Sequence, residues 1–373
     1  MIHNAAFFPT TADTLPIALH INKHSLKYKI NTFLSFPGSG ICEKDIGVID
    51  NRGNLGIVAH NCFSKTVDNW DILIISSTPE FYHDSSQTLY HTLKLIEIAL
   101  SSEKNVICAA KLPPQELQLI LQHPQASKFK YLYKNTDKFN PHKVSKLYTP
   151  SSYVVFCGGL LHETNSFEPF LSLFAELSNK YNVLALSTDM NSELCGVSSI
   201  YSLLNERQYS ESEKIYAINT FVRNHSESVF PDLIMVHLAE PLMAYNDNIS
   251  NGFGMFPYLV SKALLPDFFV CGLPVSYGYT NFINSLNNGV SNRLGFEINY
   301  IHLSNVDIDS TISFEEEKNT FYTKFDAVDR QLELYCADSV IPVSNLLEPE
   351  NINTLSLYIC DEVNAHHTYK SLI

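Results

Sequence analysis

Short apolar runs of strand length alternate with longer segments of helical period along the chain. In the first part, two segments carry apolar residues at helical spacing, and the second of them opens with prolines, as helix N-termini often do. The predicted helices are Thr88–Ser101 and Pro114–Gln122, and the predicted strands are Thr32–Phe36, Asp71–Ser76, Asn105–Ala110 and Phe129–Tyr133.

The alternation pauses at a polar segment, Lys134–Thr149, which carries Pro141 and shows no hydrophobic period. This segment predicts a linker. Beyond it, Ser210–His225 opens with acidic residues, which suit the positive end of a helix dipole, and is predicted to be helical. The other predicted helices are Phe167–Asn179, Phe253–Leu265, Tyr279–Leu294 and Lys324–Tyr335, and the predicted strands are Tyr153–Cys157, Val183–Ser187, Leu233–Leu238, Phe268–Gly272, Glu297–Leu303 and Val340–Val343.

Alternating strands and helices predict parallel sheets with helices on their faces. At 373 residues the chain is longer than one ordinary domain core. We therefore expect an α/β protein with two Rossmann-like or P-loop-like domains and mostly parallel sheets, over residues 1–148 and 149–373. Because the apolar run Val154–Phe156 needs burial on both faces, Tyr153–Cys157 is predicted to be a central strand of the second sheet.

The charge balance narrows the classes of partner. With 39 acidic and 25 basic side chains the net charge is −14, which repels phosphate backbones, so nucleic acid is not expected as a partner. No apolar stretch approaches the roughly 20 residues that span a bilayer, and the N-terminus lacks a secretion signal. The eight cysteines are scattered, without a disulfide or zinc pattern. These features predict a cytoplasmic protein without a membrane partner and leave homo-oligomerisation open.

The candidate ligand site is the junction between Tyr153–Cys157 and the next helix, because open α/β sheets bind ligands outside the carboxyl ends of strands. From Gly159 the sequence approaches a phosphate loop, with Ser166 at the hydroxyl position. Thr164 replaces the second glycine of that motif and Asn165 replaces its lysine, so weak triphosphate binding at most and negligible hydrolysis are expected. The predicted ligand-binding loop comprises Gly158, Gly159, His162, Glu163, Thr164, Asn165 and Ser166.

Two interpretations of this loop stay open. In one, Thr164 or Asn165 simply caps the helix, with Glu168 in its first turn. In the other, a nucleotide with magnesium binds there, and carboxylates at neighbouring strand ends form an acidic second shell. The candidate carboxylates are Asp189, Glu193 and Glu240. Each is equally typical of a solvated loop, and no cofactor is assigned.

The run Gly158–Phe167 is also similar to the opening motif of the zinc-dependent peptidase family that cleaves microcystin, through the sequence His-Glu-Thr-Asn at its centre. The similarity covers about ten residues. That family needs an aspartate–histidine pair and further histidines on later strands to bind zinc. His237 is the comparable strand histidine, and no aspartate stands two residues before it. A zinc-dependent hydrolase is therefore an alternative, and no metal ligand is assigned.

Over most of its length the chain resembles a family of peptide-maturation-system proteins, which are encoded in ribosomal-peptide natural-product clusters beside radical-SAM enzymes. The blocks that carry the resemblance are Leu15–Leu19, Lys44–Gly47, Asp71–Ile75, Gly159–Phe167, Pro231–Ile234, Asn251–Gly254, Leu265–Asp267, Arg293–Glu297 and Leu303–Val306. Members of that family carry a lysine where this chain has Ser166, and a glycine-rich turn where it has Ala239–Met243.

This resemblance implies an accessory protein of ribosomally synthesised peptide maturation, which binds a precursor peptide or a radical-SAM maturation enzyme. A nucleotide-dependent ligase or transferase that modifies the peptide is the alternative. Flexible leader peptides bind through a few apolar anchors in a groove. The aromatic-rich segments Asn251–Tyr258 and Tyr277–Phe282 offer such anchors, and Phe253 and Tyr279 are predicted to contact the partner. Ordinary core packing is the competing interpretation of these rings.

Overall fold

The computed structural model describes residues 2–61, 67–77, 85–133, 146–244, 250–308, 320–335 and 339–371. Two compact units make up the chain. The first comprises Met1–Asn135 and a returning segment, Met190–Gly196, and the second comprises Thr136–Asp189 and Val197–Ile373. Most of the predicted linker, residues 134–145, lies outside the described residues. The domain boundary placed at 148/149 therefore stays a prediction.

The first unit is a parallel sheet with helices. Its described elements are β1 (His3–Phe8), α1 (Leu15–His24), β2 (Tyr28–Ser35), β3 (Ala59–Asn61), β4 (Ile72–Ile75), α2 (Ser85–Ser101), β5 (Asn105–Cys108), α3 (Pro114–Leu121) and β6 (Phe129–Tyr131). The six strands pair in the order β3-β2-β1-β4-β5-β6, which is the order of the Rossmann fold. The central strands β1 and β4 bury Phe7, Phe8, Leu73 and Ile75 completely.

The hydrophobic pattern did not predict β1 or α1, although β1 lies at the centre of this sheet. β1 offers only Ala5–Phe8 as an apolar run, preceded by two polar residues that are exposed. α1 has Pro16 in its first turn, where a missing backbone N–H removes no intrahelical hydrogen bond. Pro16 therefore belongs to the start of this helix.

The second unit contains a larger parallel sheet. Its described elements are β7 (Tyr153–Gly159), α4 (Phe167–Ser178), β8 (Val183–Ser187), β9 (Ser198–Ser199), α5 (Tyr201–Leu204), α6 (Glu211–Val229), β10 (Leu233–Leu238), α7 (Met255–Ala263), β11 (Phe268–Leu273), α8 (Thr280–Leu294), β12 (Tyr300–Leu303), β13 (Val306–Ile308), β14 (Thr320–Tyr322), α9 (Phe325–Tyr335), β15 (Val343–Ser344) and α10 (Pro349–Ser371). Seven strands pair in the order β15-β12-β11-β7-β10-β8-β9, while β13 and β14 form a separate antiparallel pair.

β7 is central in this sheet, since it pairs with β10 on one side and β11 on the other. All seven of its residues are buried. The prediction that Tyr153–Cys157 forms a central strand is therefore confirmed, as is the α/β class with mostly parallel sheets. The large cluster on one face includes Phe156, Val236 and Phe269 from the strands and Val260 and Ile283 from the helices.

The end of the chain departs most from the predicted elements. The strand predicted at Val340–Val343 is observed at Val343–Ser344, and the one predicted at Glu297–Leu303 begins only at Tyr300. The long helix α10 was not predicted; it buries Ile352, Leu355 and Ile359. Among the helices that the structure describes, none is long and apolar enough to cross a membrane.

Candidate functional site

The predicted ligand-binding loop leaves the sheet at the end of β7 and enters α4. Gly159 lies beside Gly272 of β11 in the parallel register, and both glycines face the Thr164 side chain. A Cβ atom on Gly159 would overlap Thr164 Oγ1, and one on Gly272 would lie 3.0 Å from it. Thr164 is completely buried, and its hydroxyl donates to Leu161 O at 2.8 Å. The space above the two glycines is therefore filled by the loop's own threonine.

Ser166, which stands at the hydroxyl position of the phosphate-loop frame, is held by a buried histidine. Its Oγ atom is 3.2 Å from Nε2 of His237, whose Nδ1 is 3.0 Å from Oγ of Ser187. The imidazole also stacks on Phe167, with 4.6 Å between ring centroids. Burial, with a smaller contribution from His162, lowers the pKa of His237 to about 3. A neutral imidazole thus joins the start of α4 to the ends of β8 and β10.

Asn165 takes the place of the phosphate-loop lysine and has a left-handed backbone, with a φ of 51°. Its side-chain nitrogen lies 3.4 Å from Oδ1 of Asn305, beyond the end of β12. The first turn of α4 carries Glu168, a carboxylate at the helix end where a phosphate would bind. The side chain at the position of the phosphate-loop lysine is therefore neutral and points toward Asn305. The nearby end of α4 already carries the negative charge of Glu168, which disfavours a phosphate.

Two of the three predicted acidic residues lie near each other at strand ends of the second unit. Glu240, just after β10, accepts a hydrogen bond from the Thr188 hydroxyl at 2.6 Å, and Thr188 in turn accepts one from the Ala239 N–H. Burial raises the pKa of the Glu240 carboxyl to about 7; the Thr188 hydrogen bond and His162 act against the rise, and Asp189 adds to it.

The third acidic residue, Glu193, lies in Met190–Gly196, a segment that is part of the first unit.

His162, from the predicted loop, has Nδ1 3.2 Å from Ala239 O, which places it beside the end of β10. Among the described residues, no group of three or more histidine, cysteine or carboxylate side chains is arranged to hold a metal ion. In the part of the chain that the structure describes, the donor set that a zinc hydrolase needs does not assemble around His162, Glu163 and His237.

A separate open groove lies beyond the carboxyl end of β11. It has a volume of about 470 Å³. Its lining residues come from the turn after β11, the start of α8, the β13–β14 pair and α9; they are Val275, Ser276, Tyr279, Asp307, Thr323, Ala327 and Gln331. Tyr279, one of the two predicted partner contacts, is 41% exposed at this groove, so its ring is not a core residue.

Phe253, the other predicted partner contact, is also on the surface but is not among the residues that line the groove. It is 61% exposed and sits in a left-handed turn between Gly252 and Gly254, all three with φ between 54° and 62°. A Cβ atom at Gly254 would overlap the Leu242 carbonyl oxygen, so this turn packs closely on the preceding segment. The Phe253 carbonyl accepts a hydrogen bond from the Arg293 guanidinium.

The groove residues other than Tyr279 were not predicted from the sequence. Asp307 and Thr323 lie on or next to strands of three residues, too short to show an alternating pattern. Ala327 and Gln331 are four residues apart on α9 and so share one helix face, which a helical wheel could have indicated. Their meeting with Tyr279 depends on tertiary packing.

A protein of known structure has a fold similar to that of this chain. A DUF1611 family protein from Anabaena variabilis matches 95% of this chain and 99% of its own, with a TM-score of 0.55 and 12% sequence identity. At this identity the similarity establishes the α/β fold alone. The apo form of a GTPase from Pyrococcus abyssi covers 57% of this chain and 98% of its own at 14% identity, with a TM-score of 0.27 that carries no argument. Neither a protein-family model nor a curated protein matches the sequence.

Proposed function

We propose that the chain is a binding module that holds an extended peptide segment in the Tyr279 groove. In the setting that the family resemblance implies, that segment belongs to a precursor peptide or to a radical-SAM maturation enzyme. One observation carries the proposal: an open groove of about 470 Å³ presents a half-exposed tyrosine together with polar side chains from three elements. Tyrosine gives a large contact area at a low cost in side-chain entropy, and is for that reason enriched in binding surfaces.

The two short strands that contribute to the groove favour an extended ligand. In the described part of the chain, β13 and β14 pair only with each other, so each leaves one edge without a strand partner. Asp307 of β13 faces Phe321 of β14 in the antiparallel register, and the Phe321 side chain is 47% exposed. An extended peptide can add to such an edge through main-chain hydrogen bonds while its side chains enter adjacent pockets.

The β7–α4 junction gives less support to a nucleotide-dependent ligase or transferase. Thr164 fills the space above Gly159, and Ser166 is bound to His237. The lysine that would offset phosphate charge is replaced by Asn165. These contacts fit a closed connection between β7 and α4. The N-cap residue of α4 is Ser166, whose side chain makes no capping hydrogen bond, so the expectation that Thr164 or Asn165 caps this helix is wrong.

The proposal is tested by measuring how tightly the protein binds synthetic leader segments of precursor peptides encoded near its own gene, with and without magnesium-ATP. We expect Tyr279→Ala to weaken binding about tenfold, equivalent to about 1.4 kcal/mol for a modest interface anchor. Tyr90→Ala removes a 57% exposed tyrosine from the first unit and should leave affinity unchanged. Phe253→Ala shows whether the left-handed turn contributes a second anchor. Equal affinities for the Tyr279→Ala variant and the unaltered protein would contradict the proposal.

A further inference from the structure

We propose that the Tyr279 groove recognises a basic side chain of the bound segment, with the Asp307 carboxylate as its charge partner. The inference rests on the proposed peptide-binding function and adds a specificity to it. It follows from the chemistry of the groove lining. Among the described residues that line the groove, one carboxylate and several oxygen acceptors accompany an aromatic ring, and no lysine or arginine occurs.

The position of Asp307 in its strand directs its carboxylate into the groove. Its neighbours Val306 and Ile308 are buried, at 0% and 9% exposure, and successive side chains of a strand point to opposite faces. Asp307 is partly exposed and lines the groove. Its Oδ1 atom accepts a hydrogen bond from the Ile308 N–H at 2.8 Å, which fixes the orientation of the carboxylate. The carboxylate has a second oxygen, to which we assign the contact with the cation.

Neutral groups in the groove offer further acceptors. The Gln331 side-chain nitrogen donates to Gly278 O at 3.2 Å, and the same amide carries a carbonyl oxygen that can accept. Ser276 and Thr323 also line the groove; the Thr323 hydroxyl donates its proton to Asn305 O at 3.0 Å, and its oxygen can still accept. A guanidinium or ammonium group has several N–H donors and no acceptor, which matches a lining of this kind.

The Tyr279 ring complements the carboxylate. It packs at 5.7 Å between ring centroids against Phe282, and remains 41% exposed. A basic side chain laid over such a ring gains a cation–π contact and keeps its aliphatic stem on apolar surface. The net charge of −14 also favours encounter with a cationic segment.

Selection from a phage-displayed library of random 12-residue peptides tests this specificity without knowledge of the natural ligand. The library is panned against three immobilised full-length proteins: the unaltered chain, Asp307→Asn, and Asp329→Asn as a matched control. Asp329 is an exposed carboxylate of α9 that does not line the groove, so both variants change the net charge equally. We expect arginine and lysine to be enriched at one position with the unaltered chain and the control, and not with Asp307→Asn.

The strongest binder is then synthesised with its basic residue and with citrulline or norleucine in that place. We expect the uncharged peptide to bind the unaltered chain at least about tenfold more weakly, and Asp307→Asn to discriminate less than about threefold. Binders that depend on Tyr279 but show no basic preference would overturn this inference and leave the proposed function standing. Binders indifferent to Tyr279→Ala, or no binders at all, would overturn both.

Discussion

His237 gives a sharp test of the second unit's packing, because a buried neutral histidine makes stability depend on pH. The folded-state pKa of about 3 lies below the value of about 6.5 expected for an unfolded chain. Below that unfolded value the unfolded state binds a proton that the folded state does not, so stability falls as the pH is lowered through 6.5 towards 3. Between about pH 7.5 and pH 5 the expected loss is about 2 kcal/mol for this one group.

The substitution His237→Gln removes the titrating ring and keeps a side chain able to bond to Ser166. The variant protein will be less stable at every pH, since it also loses the stacking on Phe167. The quantity to compare is therefore how much the free energy of unfolding changes with pH in each protein. Other groups contribute to the total curve: burial lowers the pKa of His302 to about 3, and the raised pKa of Glu240, about 7, acts with the opposite sign. Their contributions are shared by both proteins and cancel in the difference.

Urea unfolding at the two pH values, followed by far-ultraviolet circular dichroism, measures this difference. Trp70, the chain's single tryptophan, is buried in the first unit, so its fluorescence follows that unit separately. On acidification we expect the free energy of unfolding of the unaltered chain to fall by about 2 kcal/mol more than that of His237→Gln. This loss belongs to the unfolding of the second unit, which circular dichroism follows and Trp70 fluorescence does not. A difference below about 0.5 kcal/mol, roughly a quarter of that value, would refute the buried, neutral state of His237.

Four further predictions concern backbone conformation and the β7–α4 loop. Phe230 ends α6 with a φ of 50° while its side chain is 79% exposed, so Phe230→Gly should raise stability by about 0.5–1 kcal/mol; an unchanged urea midpoint would contradict this. Gly159→Ala should lower stability by about 1–3 kcal/mol through overlap with Thr164. Gly289→Ala in α8, where an added Cβ meets nothing nearer than 4.0 Å, should be neutral or stabilising by up to about 1 kcal/mol. Magnesium-ATP should raise the Tm by less than about 1 °C for the unaltered chain and Ser166→Ala alike; robust hydrolysis that Ser166→Ala abolishes would count against the closed loop.

The fold was predictable where a strand or helix is marked by its own local pattern of apolar residues. The strand predicted at Tyr153–Cys157 and the observed Tyr153–Gly159 differ only by the two glycines, which a hydrophobic count ignores. Val183–Ser187 and Leu233–Leu238 were predicted with the observed bounds, because continuous apolar runs mark strands buried on both faces. β1 was missed because its apolar run is short and precedes a proline.

The candidate site was less predictable because it depends on long-range contacts. The bond between Ser166 and His237 joins residues 71 positions apart, and no spacing rule indicates it. For the same reason the sequence did not connect Asp307 with Tyr279. The surface position of Tyr279 was anticipated, whereas the nearby Tyr277 and Phe282 pack against the core, as the competing interpretation of the aromatic segments holds.

The most direct test of the account is a methyl NMR titration that maps where a peptide binds. Val275 and Ala327 line the Tyr279 groove, whereas Leu160 and Leu161 belong to the β7–α4 loop. On addition of a synthetic leader segment or a selected 12-residue peptide, we expect the methyl signals of Val275 and Ala327 to shift in a saturable way, with those of Leu160 and Leu161 unchanged. Saturable shifts at Leu160 and Leu161 without any at the groove would contradict the central claim and place the binding site at the loop.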